Sequence, residues 1–174
     1  MIQPNTTKNI AAFDPSSKIT GACVLIPEGS NLPRLVSAWR IKPDKATAPA
    51  IDRIDNMVEG VREILRTHKP SLIIVEITTG KVAGRFKGQK ISGQGVYGMA
   101  VGAVQQTCMN WAAMNHGVEV IRVRENVWTN GKAKSTRAKG VHALYPSLDW
   151  SSDTGHDIAD SIGLALWGIG ERNL

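Results

Sequence analysis

The chain has 174 residues, is 42% hydrophobic and 21% charged, and carries a formal net charge of +6. This composition suits a globular chain with room for a real core and excludes a disordered or fibrous polymer. No apolar run approaches the roughly 18 residues of a membrane helix, and the polar start MIQPNTTK lacks the apolar stretch of a secretory leader.

Cys23 and Cys108 lie in apolar surroundings without CxxC spacing. They read as small core residues in a reducing compartment, which makes a cytoplasmic chain the expectation.

The first predicted element is a strand over residues 10–13 that runs out at Asp14. A turn through Pro15, Ser16 and Ser17 leads to a second strand over 20–26. Residues 34–41 (RLVSAWRI) alternate as a third strand, which Pro43 and Asp44 break. Helical spacing follows over 48–68, with Ile51, Ile54, Val58, Val61, Ile64 and Leu65 on one face. Residues 71–76 (SLIIVE) form a continuous apolar run with the look of a buried parallel strand, and it ends in Glu76.

Residues 78–95 then form a glycine-rich loop carrying Lys81, Arg85, Phe86, Lys87 and Lys90. Loops this long inside a domain tend to be functional. A second helix over 96–115 and a fifth strand over 118–123 lead to another basic stretch, with Lys132, Lys134, Arg137 and Lys139. A helix over 136–144 stops near Pro146, and a last helix is predicted over 155–168 (GHDIADSIGLALWG). No repeat or linker divides the chain, so a single domain over 1–174 is expected. Hairpin strands followed by alternating helices and strands predict an α/β fold, a mixed five-stranded sheet flanked by helices. Its site should lie beyond the carboxyl ends of the central strands.

Acids recur at those ends. Asp14 and Glu76 each terminate a strand, and a carboxylate at the end of a buried run is costly unless paired or bound to a cation. Asp157 and Asp160 lie one turn apart on a helix that must pack against the sheet. A favourable helix dipole would explain that pair locally, but four converging carboxylates make an oxygen-ligand site suited to Mg²⁺, with Mn²⁺ as substitute. Two such ions can serve phosphodiester cleavage. The two basic, glycine-containing stretches point to a polyanionic partner.

These features together resemble the RuvC-like Holliday-junction resolvases of the RNase H-like superfamily. The likeness rests on the strand ending in Asp14, SLIIVE ending in Glu76, the glycine-rich loop and HDIADSIGLALW, and spans Ile10 to Trp167. It implies an RNase H-like nuclease domain and a Mg²⁺-dependent endonuclease acting on four-way DNA junctions in recombination and repair. It also implies a homodimer that cuts two opposed strands.

Two departures mark a divergent, phage- or virus-type member: Asp14-Pro15-Ser16-Ser17 replaces Asp-Pro-Gly, and Lys132, Lys134 and Lys139 all compete for one phosphate-contacting role. Phe86 is a candidate wedge between bases. His156, beside Asp157, reads either as a ligand or as a helix-start residue. Trp39, Trp111 and Trp167 are expected in the core, while Trp128 and Trp150 are undecided. The alternatives are an RNase H-like nuclease acting on flaps, branched DNA or RNA–DNA hybrids, and a DNA-binding module without catalysis.

Overall fold

The structure is a computed structural model that describes residues 8–77 and 92–172. Lys81, Arg85, Phe86, Lys87 and Lys90 lie outside the described residues. The elements in order are β1 (Ile10–Pro15), β2 (Thr20–Glu28), β3 (Asn31–Ile41), α1 (Ala50–His68), β4 (Leu72–Ile77), α2 (Ser92–Met114), β5 (Glu119–Arg124), α3 (Glu125–Trp128), α4 (Lys134–Leu144) and α5 (Asp157–Arg172).

The five strands form one mixed sheet in the order β3-β2-β1-β4-β5. β1 pairs antiparallel with β2, and β2 with β3, while β1, β4 and β5 run parallel. The expected α/β architecture is present. Because strand side chains alternate between faces, each strand feeds two cores. Ile10, Ala12, Leu72 and Ile74 face α4 and α5, where Ala138, Val141, Ile158, Ile162 and Ala165 close over them. Ala11, Phe13, Ile73 and Val75 face the other way, onto Val61, Ile64 and Leu65 of α1 and Val104 and Cys108 of α2. Both cysteines are buried and free.

Most element boundaries differ from the sequence expectation by a residue or two. α5 starts at Asp157 and not Gly155 because His156 takes a left-handed backbone, φ 57°, which cannot continue a right-handed helix. Ile51 was expected on the buried stripe of α1 but is exposed; the buried stripe of that helix begins at Ile54. Helix α3 was not anticipated at all.

Candidate active site

Asp14 lies on β1 two residues beyond Ala12, and Glu76 on β4 two beyond Ile74. The period of two therefore aims both carboxylates at the face covered by α4 and α5. The parallel register pairs Phe13 with Val75, and one step further sets Asp14 beside Glu76. Glu76 is only 7% exposed, and the Trp128 indole Nε1–H of α3 donates to its Oε2 at 2.7 Å.

α5 brings the second pair. Its start is fixed by Asp153, a fully enclosed carboxylate whose two oxygens accept from the backbone N–H groups of Ile158 and Ala159, each at 3.0 Å. This satisfies two of the donors that a helix N-terminus leaves open. The helix can approach because β2 offers no side chain at Gly21, where a Cβ would collide with the Asp157 carbonyl oxygen. Gly21 pairs with Asp14 on one side and with Arg40 of β3 on the other. The first turn of α5 thus crosses a row of three strands: acid, gap, base.

Cations hold both α5 acids. Arg40 grips Asp157 Oδ2 through Nε and Nη2 at 3.1 and 3.0 Å, and its Nη1 donates to the Ser152 carbonyl. Arg137 of α4 makes a two-pronged bond to Asp160, Nε and Nη2 each at 3.0 Å, with its guanidinium 4.9 Å from the centre of the Trp128 ring. Lys134 bridges the pair, its Nζ 3.3 Å from Asp157 and 3.2 Å from Asp160.

The central acids lack such partners: among the described residues neither Asp14 nor Glu76 forms an ion pair. Burial, then the charges of Glu76 and Asp160, hold Asp14 well above the usual carboxylate range. Burial likewise raises Glu76 to about 7, against the lowering effect of the Trp128 hydrogen bond. On Lys134 burial pulls downward, but Asp160, Asp14 and Asp157 outweigh it and the ammonium is raised.

Two acids buried without counter-charge beside two acids held by cations make an all-oxygen donor set. It fits a hard divalent cation, which would relieve what the protein leaves uncompensated. The four are not drawn tight here. Among the described residues no three of these carboxylates have oxygens all within 4.8 Å of one another, and Lys134 stands between the α5 pair.

The structure thus brings Asp14, Glu76, Asp157 and Asp160 to one corner of the sheet. Of the basic candidates, Lys132 and Lys139 are exposed, Lys134 is half-exposed, and Arg137 is largely committed to Asp160 and to the Lys132 carbonyl. Two site residues went unrecognised in the sequence, Arg40 and Trp128. Arg40 acts across 117 positions, and Trp128 sits on a four-residue helix too short to show a period.

No protein-family model matches the chain. It is 28% identical over 157 residues, covering 90% of its own length and 79% of the relative's, to the crossover junction endodeoxyribonuclease RuvC of Azoarcus sp. (strain BH72). In structure it is similar to T. thermophilus RuvC in complex with a Holliday junction substrate, with a TM-score of 0.68, 21% identity and 92% of each chain covered. It is also similar to the Fowlpox virus resolvase in complex with Holliday junction DNA, at a TM-score of 0.58 and 16% identity over 94% of this chain and 98% of that one.

Proposed function

We propose that this chain, a divergent RuvC-like protein, is a metal-dependent endonuclease that resolves four-way DNA junctions. The observation that carries the reading is the corner where Asp14 and Glu76, at the ends of adjacent parallel strands, meet the first turn of α5 with Asp157 and Asp160. The RuvC-like sequence and fold around that corner supply the substrate class.

Asp14 and Glu76 would hold one Mg²⁺, and Asp14, Asp157 and Asp160 a second, with Mn²⁺ able to substitute. Bound there, the ions supply Lewis acidity to the phosphodiester and to an attacking water. The protein's own groups do the rest. Glu76, raised to about 7 by burial in the metal-free chain, would give up its proton on taking the ion. Trp128 fixes its orientation from one side. Lys134, half-exposed between the α5 acids, can swing from them to a backbone phosphate, which makes it the candidate for the phosphate-contacting role. Lys132 and Lys139 would hold flanking phosphates, joined by Lys81, Arg85, Lys87 and Lys90, with Phe86 the candidate wedge. A homodimer would supply two such corners for two opposed strands.

The decisive experiment is cleavage of a labelled four-way junction with Mg²⁺ beside matched duplex, flap and RNA–DNA hybrid. Paired symmetric nicks in the junction alone are expected. Cutting of flaps or hybrids with the junction intact would move the activity to the broader RNase H-like class. Asp157→Asn should abolish cleavage while junction binding survives; a variant that still cuts would remove Asp157 from the metal set.

A further inference from the structure

Beside the start of α5, a second cluster joins side chains other than the four acids of the corner. His142 comes from α4, Asp153 from the turn before α5, and His156 from the residue that precedes it. One ligand atom from each lies within 4.8 Å of the other two, and among the described residues no other group of three or more His, Cys, Asp or Glu side chains does this. Two of the imidazole nitrogens, His142 Nε2 and His156 Nδ1, are enclosed and have no hydrogen-bond partner. Each such orphan costs about 1–3 kcal/mol. Two orphans of the same kind in one cluster are better accounted for by one shared ligand than by two independent losses.

The geometry around them is fixed. The His142 ring stacks on Trp150, centroids 4.1 Å apart, and the Trp150 indole N–H is tied to the Tyr145 carbonyl. His156 is locked by its left-handed backbone, and its N–H donates to the Asp153 carbonyl at 3.0 Å. Each Asp153 oxygen accepts one helix N–H, which leaves lone pairs free on both.

We propose that His142, Asp153 and His156 form a transition-metal site of the Zn²⁺ class, separate from the acidic corner. Two imidazoles and one carboxylate are ligands of borderline softness, which favour Zn²⁺ over Mg²⁺, and a fourth position stays open to water. Bonds of about 2.0–2.1 Å require the donors to close in by roughly an ångström at most. The site would tie α4 to the start of α5, and so brace the turn from which Asp157 and Asp160 project. Its nearest cation, Arg40 Nε, is 3.9 Å from Asp153 and already paired with Asp157.

The test is equilibrium dialysis of the full chain against Zn²⁺, with Co²⁺ as the spectroscopic stand-in, in an Asp157→Asn, Asp160→Asn background that disables the acidic corner. One Zn²⁺ per chain is expected, with a tetrahedral Co²⁺ visible spectrum. His142→Phe keeps the stack on Trp150, and His156→Asn keeps a residue tolerant of the left-handed backbone. Each removes a ligand and should weaken Zn²⁺ binding by at least about 100-fold, since losing even a ligand's supporting partner costs about 10–100-fold. A His142→Gln variant with an unchanged far-ultraviolet spectrum guards against misfolding. No retained Zn²⁺, or retention and Co²⁺ spectra that the His substitutions leave unchanged, would overturn the site.

Discussion

Glu76 is the residue on which the most physical consequences converge. Its folded-state pKa, about 7, lies above the ordinary 4.5, so between those values the folded chain binds a proton that the unfolded chain has released. The stability this confers is present below 4.5 and is lost as pH rises through 7, a penalty on the order of 3 kcal/mol for the metal-free protein above that range. Glu76→Gln should therefore raise the melting temperature in chelator at pH 8 and change it little at pH 5. Cleavage at limiting Mg²⁺ should rise with pH through about 7, because the ligand form is the carboxylate. The Trp128 hydrogen bond opposes the upward shift, so Trp128→Phe should move that profile to higher pH. An unmoved profile would show that Glu76 does not set it. Arg137 tells the complementary story: Arg137→Ala strips the buried Asp160 of its two-pronged partner and leaves only Lys134. A loss of about 2–3 kcal/mol in chelator is expected, part of it recovered on adding Mg²⁺.

At the scale of elements, the site depends on how closely α5 can lie across β2. Gly21→Ala forces a methyl group into the Asp157 backbone, and overpacking of this kind costs about 1–3 kcal/mol. The larger effect should be on chemistry, since the helix start would be pushed away from Asp14: cleavage should fall far more than the denaturation midpoint. Equal falls would mean that Gly21 matters only for packing. This contact was invisible in the sequence, where Gly21 falls inside a predicted strand. Asp14, Glu76 and the Asp157–Asp160 pair were legible because their signals are local: an apolar run ending in an acid, and two acids one turn apart. Arg40 was illegible for the opposite reason. On a strand of alternating polarity any outward Arg looks solvated, and only the packing of α5 turns this one inward. Nothing local in the sequence marks His142, because its companions arrive from beyond Pro146.

The whole molecule combines a basic exterior with an acidic recess. Junction binding should weaken steeply with salt, and Lys132→Ala and Lys139→Ala should each flatten the log–log slope by about one if each side chain meets a phosphate. A slope that neither change alters would place the DNA on another face. The sheet carries one further consequence. Arg40 faces α5 while its neighbour Trp39 packs toward α1, so a one-residue slip of β3 would exchange them and leave Asp157 without its guanidinium. The irregularities in the β2–β3 pairing fall at Val24/Leu25 and Ile26/Glu28, at the end remote from Gly21 and Arg40. The pairing is continuous from Thr20 to Val24, so the end beside the acids stays in frame. A chain whose edge strand has docked out of step would thus lose the cation that holds Asp157. If the proposed activity holds, refolding chains should gain DNA cleavage only as β3 pairs in register with β2.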